Sequence, residues 1–447
     1  MTDDTLSDVD ALAPVRAALV QRYARHVSAS VFVEDASRLD LRYSDGAVHD
    51  LTRSEHGGSA VRLTDARGGS SFRATGARDA DEVLRAVHGD PPRTPRGRPS
   101  RPDELAEPAA ELLTLLATID ASARRTAAVE QVLVDAELVR RRIAVVTRDD
   151  VLSDVRTLVY LTVRAVARNG SRTATGFMTP ATSGAVGALD GERIGETVAR
   201  RSATSLHARP APIAHLPVVV GPGRGIVLIH EACCHPLEGD EVLLGSVHAG
   251  RLGERIGAEG LTILDDPTIP SAVGSYAFDD EGVATSATRV VEDGRLSSYL
   301  LDRSSAAALR ATSTGNGRVD SFRSPVIPRM SNTSVAPGPW TPAEIIADTP
   351  RGIYAENVGG GEVVESTGEF VFRVLDGFLI EDGRLTDPIE ETTVSGQGAS
   401  VLAGIDRVGD DVALGAAKCG KFGQFVPVGV HGPTLRIDSL LVGGTQR

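Results

Sequence analysis

Residues 218–235 read VVVGPGRGIVLIHEACCH, and this stretch decides the fold of the C-terminal half of the chain. The three valines have the character of a short buried strand, and residues 221–225 contain three glycines and a proline, which are typical of a turn. The apolar residues 226–229 then lead into the pattern His-Glu-x-x-x-His. We therefore predict a strand, a glycine-rich turn and a helix that presents His230, Glu231 and His235.

The two histidines are one residue further apart than in the common zinc-peptidase signature. In His-Glu-x-x-His the imidazoles lie at i and i+4 on one helical face, and the glutamate is the general base. Here the second histidine is at i+5, about 140° from the first on a straight α-helix. Both rings can reach one ion only if the helix breaks or widens before His235, and Pro236 is consistent with a break. From spacing alone, His230 and His235 are either zinc ligands or ordinary histidines of the core or of a loop.

A catalytic zinc usually has three protein ligands and one open position, so two histidines need a partner. Cys419 is the candidate, in the small and flexible segment Lys418-Cys419-Gly420-Lys421. These two lysines are the only ones in the chain, and a nearby ammonium favours the thiolate, which is the form that binds metal. The alternative is a buried structural cysteine in a glycine-rich turn.

Hydrophobic periodicity divides the chain into four regions. An N-terminal α+β domain covers 1–88, with a helix over 14–26, strands between 29 and 75 and a helix over about 80–88. A Pro/Arg-rich linker covers 89–103, because its composition cannot bury an apolar face. The middle region, 104–210, is predicted to be helical over 104–136, to form a hairpin at Asn169-Gly170 and to end in a helix over about 191–206.

The fourth region, 211–447, is rich in predicted strands, with turns expected at Asp293-Gly294, Asp376-Gly377 and Asp382-Gly383. We expect helices to be concentrated before residue 236 and sheet after it. The predicted fold class is α+β, in which an N-terminal α/β region precedes a strand-rich, largely antiparallel C-terminal domain that carries the metal-binding helix.

Composition excludes several classes of protein. The chain has 447 residues, 41% of them hydrophobic and 24% charged, as in soluble globular proteins. Its net charge of −13 and the absence of a long basic run argue against nucleic-acid binding. No apolar stretch has the length of a bilayer span, and the acidic N-terminus does not resemble a signal peptide. Three cysteines are too few for a disulfide framework, so we expect a cytoplasmic location and no membrane partner.

Residues 230–240, HEACCHPLEGD, resemble the His-Glu-Ala-x-Gly-His-x-Leu-Glu-Gly-Asp motif of the TldD branch of the TldD/PmbA zinc metallopeptidases. Further blocks resemble this family in the same order from about residue 215 to the C-terminus; they are residues 277–282, 314–318, 328–333, 352–355, 359–361, 419–424 and 433–436. Before residue 210 the resemblance is limited to layout.

The resemblance implies a zinc ion bound by His230, His235 and Cys419, with Glu231 as the general base that acts on zinc-bound water. It implies a zinc-dependent peptidase that hydrolyses unfolded or leader peptides, with residues 211–447 as the β-rich metallopeptidase domain. It also implies a dimer, either with a homologous TldE/PmbA-type subunit or with a second copy, in which this chain is the catalytic half.

The main departure from the family motif is Cys234, which replaces a glycine. Because glycine suits a distorted helix, Cys234 either fills space harmlessly or alters the centre. Two alternative functions stay open, the first suggested by the preference for arginine over lysine and the second by Cys234. One is a tailoring amide hydrolase of natural-product biosynthesis that uses the same zinc centre, and the other is a non-catalytic scaffold of the family. The oxyanion donor is not specified, although an arginine or asparagine of residues 314–333 is a candidate.

Overall fold

The computed structural model describes residues 9–77, 80–89, 105–364 and 367–443. Apart from Gly89, the predicted linker 89–103 lies outside the described residues. Within the described ranges, no helix combines the length and the apolar character that crossing a bilayer requires.

The N-terminal half is built on long antiparallel strands. Its strands are β1 (Ser28–Ser44), β2 (Ala47–Thr64), β3 (Ser70–Thr75), β4 (Val129–Val146), β5 (Val151–Asn169), β6 (Arg172–Met178) and β7 (Ala181–Thr182). Its helices are α1 (Ala13–Arg22), α2 (Ala80–His88), α3 (Ala106–Ala123) and α4 (Gly191–Ser205), with short 3₁₀ turns at Val9–Leu12 and Val186–Ala188.

These strands form one sheet in the order β3-β2-β1-β4-β5-β6, with β7 paired to β5. Strand β1 pairs with β2 on one side and with β4 on the other, so the predicted N-terminal and middle regions share this sheet. Helices α1 and α2 pack against one part of the sheet, and α3 and α4 pack against another. The division of the chain into domains stays a prediction.

The C-terminal half contains many shorter strands and only short helices. Its strands are β8 (Ala214–Val220), β9 (Ile263–Asp265), β10 (Thr288–Glu292), β11 (Arg295–Leu296), β12 (Gly317–Arg318), β13 (Ile327–Pro328), β14 (Asn332–Val335), β15 (Arg351–Val364), β16 (Glu369–Glu381), β17 (Arg384–Ile389), β18 (Thr392–Gln397), β19 (Ile405–Val408), β20 (Ala413–Lys421), β21 (Gln424–Gly432) and β22 (Leu435–Val442). Its helices are α5 (Val227–Ile229), α6 (Gly239–Leu243), α7 (Arg303–Leu309), α8 (Pro342–Ala347) and α9 (Gly398–Gly404).

Two larger sheets organise this half. One has the order β11-β10-β9-β14-β21-β20, and the other has the order β15-β8-β22-β18-β16-β17, with β19 paired to β22. The pairs β14–β21 and β8–β15 are parallel, and the remaining pairs within these sheets are antiparallel. One hydrophobic core joins both sheets to residues 226–237, so the predicted metal-binding segment is held inside that core. The predicted fold class is confirmed.

Three local predictions were wrong. The predicted helix over 104–136 ends at Ala123, and Val129 begins β4. Asp376-Gly377 is not a turn but lies inside β16, where a Cβ on Gly377 would be 2.5 Å from the Tyr354 carbonyl oxygen. Sheet is also not confined to the region after residue 236, because eight strands, β1 to β8, precede it.

Candidate metal centre

The segment that carries both histidines is a helix with a changing pitch. After β8, Gly223 adopts a left-handed φ of +67° and begins a 3₁₀ turn at Gly223–Ile226, which passes into α5. Residues His230–Cys234 form a π-helix, and residues His235–Leu237 form a second 3₁₀ turn. A π-helix closes its hydrogen bonds at i+5, so it has the widened geometry that the histidine spacing requires.

Cys419 reaches the same place from a hairpin. It lies on β20, which pairs with β21 through a turn whose residues Phe422 and Gly423 both have positive φ, 48° and 79°. Strand β21 lies parallel to β14, which contributes Thr333 beneath the histidine helix. The convergence of these side chains therefore depends on tertiary contacts between the helix, the hairpin and β14.

His230, Glu231, His235 and Cys419 form one compact cluster. Ligand-type atoms of these four residues all lie within 4.8 Å of one another. The Cys419 Sγ is 3.0 Å from His235 Nε2, and a Glu231 carboxylate oxygen is 3.2 Å from the same nitrogen. The two imidazole centroids are 5.3 Å apart with nearly perpendicular planes. His230, His235 and Cys419 are buried, whereas the Glu231 side chain is 23% exposed.

The second nitrogen of each ring is held by a neighbour. His235 Nδ1 is 2.8 Å from Glu238 Oε2, and because a carboxylate only accepts hydrogen bonds, Nδ1 is the donor. His230 Nδ1 is 2.7 Å from the Thr333 hydroxyl, which itself donates to the Met330 sulfur. Both Nε2 atoms therefore face the cluster, and each would offer a lone pair to a metal ion once its ring is neutral.

Glu238 is in turn held by Lys421. The Lys421 ammonium lies 2.8 Å from Glu238, 2.6 Å from Asp240 and 3.4 Å from Glu241, and its side chain is only 1% exposed. A second Glu238 oxygen accepts the backbone N–H of Met330 at 3.2 Å. Burial alone would raise the pKa of Glu238, but the charges of Lys421 and His235 lower it far below its usual value.

The same field favours the thiolate of Cys419 and the carboxylate of Glu231. Burial alone would lower the pKa of His235, but the charges of Cys419 and Glu238 raise it well above its usual value, so His235 would release a proton on binding metal. Burial alone would raise the pKa of Cys419, but the His235 and His230 imidazoles lower it to about 5. Burial likewise opposes ionisation of Glu231, whose pKa is nevertheless lowered through its hydrogen bond to His235. The prediction that a neighbouring lysine stabilises the Cys419 thiolate was wrong. Lys421 contacts carboxylates, and Lys418 pairs with Glu137 of the N-terminal sheet.

These donors suit zinc. His230 Nε2 is buried and has no hydrogen-bond partner among the described residues, which leaves a lone pair directed at the sulfur and the second imidazole. Two imidazole nitrogens and a thiolate are the ligand types that zinc prefers, and its donors lie about 3.5 Å apart in a tetrahedral site. The observed separations, 3.0 Å between Cys419 Sγ and His235 Nε2 and at most 4.8 Å within the cluster, lie on either side of this value.

Cys234 does not strain the backbone. Its φ of −98° and ψ of −30° lie in the right-handed helical region, where any residue is accommodated. The side chain is buried, and burial raises the pKa of its thiol. Cys233, by contrast, directs its sulfur towards the Gly398 carbonyl oxygen at 3.6 Å. The family glycine is therefore not required here for backbone freedom.

Glu231 opens onto a cleft of about 880 Å³ between the two halves of the chain. One wall comes from the N-terminal sheet and includes Asp135, Glu137 and Tyr160. The other wall includes Arg224 and the three glycines at residues 359–361, which lie on β15. The cluster is thus buried on one side and accessible on the other.

Sequence reasoning did not identify Thr333 or Arg224, and it did not pair Lys421 with Glu238. Thr333 ends one of the blocks that carry the family resemblance, which was the only signal for it. Two of the arginines proposed as oxyanion donors, Arg318 and Arg329, hold backbone carbonyl groups instead. Both are buried, and the carbonyl groups include that of Cys419 at 2.5 Å from Arg329.

Comparison with known proteins places these residues in a family context. Residues 214–444 match the model of the PmbA/TldA metallopeptidase C-terminal domain. The chain is similar to a metalloprotease TldD homolog of Haemophilus influenzae, with 41% identity over 250 residues, which are 55% of this chain and 52% of that protein. It is also similar to a zinc metalloprotease TldD homolog of Saccharolobus solfataricus, with 34% identity over 51% of each chain. The chain therefore spans about half the length of these curated relatives.

The whole fold has counterparts among solved structures. The crystal structure of TldE from Thermococcus kodakarensis superposes with a TM-score of 0.74 at 16% identity, covering 97% of this chain and 100% of that chain. At this identity the likeness concerns the fold alone.

Proposed function

Because this chain belongs to the PmbA/TldD metallopeptidase family, we propose that it is a zinc-dependent peptidase. The observation that carries the proposal is the convergence of His230, His235, Cys419 and Glu231 within 4.8 Å at the floor of an open cleft. A relative named as a zinc metalloprotease supports the choice of metal.

His230, His235 and Cys419 would hold the zinc ion, through two Nε2 atoms and a thiolate. Bound there, zinc supplies Lewis-acid chemistry, which polarises a peptide carbonyl and makes water more acidic. The protein fixes the ligands beforehand, because Thr333 and Glu238 already orient the rings. This arrangement leaves one side of the centre open to the cleft.

Glu231 is the general base. Its lowered pKa keeps it ionised at neutral pH, so it can accept a proton from water and return that proton to the leaving amine. Its carboxylate is next to the ligands and partly exposed in the cleft, which is where water and substrate meet.

The substrate is an unfolded or leader peptide in an extended conformation. Gly359 and Gly360 interrupt the pairing of β15 with β16 and line the cleft, and a Cβ on Gly360 would meet no atom within 4 Å. A peptide backbone can therefore approach this strand closely.

We further propose that the protein acts as a dimer, either with a TldE/PmbA-type subunit or with a second copy. The superposition on a TldE structure supports a homologous partner of the same fold. Size measurement of the protein alone and after co-expression with such a subunit distinguishes the two assemblies. The cytoplasmic location expected from the cysteine content stays a prediction.

Substitution of the general base tests the proposed function. We expect Glu231→Gln to retain stoichiometric zinc, measured by elemental analysis, and to lose cleavage of an unstructured peptide library, measured by mass spectrometry. Glu254→Gln, the same change at an exposed site, is the matched control and should cleave normally. Full activity of Glu231→Gln, or a folded wild-type protein without zinc, would refute the proposal.

A further inference from the structure

Arg224 differs from the other cations that line the cleft, because no carboxylate among the described residues pairs with it. The other cleft cations have carboxylate partners, since Arg42 and Arg164 pair with Asp135 and Lys418 pairs with Glu137. The Arg224 guanidinium lines the same cleft as Glu231.

All hydrogen-bond acceptors of Arg224 are neutral. Its Nε donates to the Val358 carbonyl oxygen at 3.1 Å, and its Nη1 donates to the Thr179 hydroxyl at 2.6 Å and to the Ala416 carbonyl oxygen at 2.7 Å. The ring of Phe177 lies 5.8 Å from the guanidinium carbon. The guanidinium is thus held by two backbone carbonyls, on β15 and β20, and by the Thr179 hydroxyl, and none of these acceptors carries a negative charge.

The surroundings of Arg224 add hydroxyl groups, and the nearby ammonium of Lys418 is paired with Glu137. Tyr160 lines the cleft beside Arg224, and the Lys418 ammonium lies 4.8 Å from the centroid of the Tyr160 ring. Burial lowers the pKa of Arg224, and the neighbour that most favours its charged form is the phenol of Tyr160. This corner of the cleft therefore combines a fixed cation with hydroxyl donors from Tyr160 and Thr179.

Arg224 is partly buried, and a charge removed from water without a counterion is costly unless a ligand supplies the missing partner. We propose that Arg224, with Tyr160 and Thr179, forms a subsite for a carboxylate group of the peptide. The proposal rests on the proposed peptidase function and specifies its substrate class as peptides that place a carboxylate, of a side chain or of the C-terminus, at this subsite. A purely structural Arg224 would tie the strands together but would give no preference between acidic and neutral peptides.

The separation of Arg224 and Glu231 along the chain relates the subsite to the bond that is cut. Arg224 and Glu231 are seven residues apart on a helical segment, which corresponds to about 10 Å. An extended peptide advances about 3.3 Å per residue, so a backbone separation of about 10 Å corresponds to about three residues of substrate. The source of the carboxylate is either an acidic side chain or the C-terminal carboxylate of a short peptide.

Binding to a non-hydrolysing protein tests the subsite. The parent is zinc-loaded Glu231→Gln, and the probes are fluorescent, unstructured twelve-residue peptides in which one glutamate replaces glutamine at each position in turn. A second set compares free and amidated C-termini, which separates the two sources of the carboxylate. Arg224→Gln and Arg224→Lys are compared in this background, with Arg164→Gln as the matched loss of a cleft arginine.

We expect at least one glutamate peptide, or the free C-terminus, to bind about tenfold tighter than its neutral counterpart, equivalent to about 1.4 kcal/mol. Arg224→Gln should abolish this preference, Arg224→Lys should keep part of it and Arg164→Gln should retain it. An unchanged preference in Arg224→Gln overturns the proposal. The proposal is also overturned if the Glu231→Gln parent shows no preference for any carboxylate-bearing peptide. This second result can be obtained even if the Arg224 variants do not fold. A preference that persists while wild-type protein cleaves no peptide refutes the peptidase function but leaves the subsite standing.

Discussion

Replacing Lys421 by methionine removes the cation that, within the described part of the chain, contacts Glu238, Asp240 and Glu241 together. The ammonium lies within 3.4 Å of all three carboxylates, and its side chain is 1% exposed. Methionine keeps an unbranched side chain of similar length, so packing changes little while the charge disappears. The substitution therefore isolates the electrostatic contribution of Lys421.

Two effects of known size are expected. Removing one partner of a buried ion pair typically costs about 3–5 kcal/mol, because the other charge stays buried without compensation. Glu238 would also lose the contact that fixes its carboxylate beneath His235 Nδ1. Loss of such an orienting partner typically lowers metal affinity by about 10–100-fold. We therefore expect a marked fall in melting temperature and weaker zinc binding in Lys421→Met.

Lys418→Met is a closely matched control. It is the only other lysine of the chain, lies on the other side of Cys419 and loses the same charge. Its partner is Glu137, and the Lys418 side chain is 35% exposed. Ion pairs of this exposure contribute about 0–1 kcal/mol, so stability and zinc affinity should hardly change.

The assay compares the two variants with the wild-type protein in thermal unfolding and in competition for zinc with a chromophoric chelator. If both variants lose stability and zinc affinity equally, or if neither does, the ion-pair argument is wrong. The relevant quantity is the difference between them, because a chain of this size need not unfold in one step.

Two further predictions concern single side chains. Cys234→Gly should change zinc affinity less than twofold and lower stability by no more than about 1 kcal/mol. The backbone of Cys234 is right-handed, so the substitution adds only the greater conformational entropy that glycine loses on folding. A large gain in zinc affinity on titration would show that the thiol perturbs the centre. Glu34 is buried, but its ion pair with Arg141 lowers its pKa from 4.5 to about 2. Because the pKa is lower in the folded state, this stabilisation is complete above about pH 4.5 and is lost as the pH falls towards 2. Glu34→Gln should therefore cost up to about 3 kcal/mol in urea unfolding at pH 7 and much less near pH 2.5, and an equal cost at both pH values would contradict the assignment.

The fold class could be predicted from the sequence because both periodicities are visible in it, but the end of α3 could not. Residues 104–136 consist of good helix formers, and intrinsic preference is a weak guide when tertiary pairing competes with it. After Ala123 the buried positions Val132, Val134 and Leu138 alternate, as β4 becomes a central strand between β1 and β5. The alternation was present in the sequence but was masked by alanine and glutamate.

The candidate ligands were easier to predict than the contacts that hold them. His230 and His235 are close in sequence, and Cys419 was the one remaining cysteine outside the motif. Lys421 was assigned to the wrong neighbour, because sequence proximity to Cys419 suggested the thiol whereas the ammonium points to Glu238. On a strand, adjacent side chains point to opposite faces, so residue 421 shares a face with residue 419 while residue 418 faces the cleft.

The unusual histidine spacing finally depends on contacts far away in the sequence. A π-helix is rarely stable by itself, so the widening at His230–Cys234 needs external support. Gly398 supplies part of it, because a Cβ there would be 1.9 Å from the Ala232 carbonyl oxygen and would push the widened turn away. Thr333 supplies another part by fixing the His230 ring. The two histidines can reach one ion only if these contacts form. The spacing of the motif alone therefore could not predict whether His230 and His235 bind a metal.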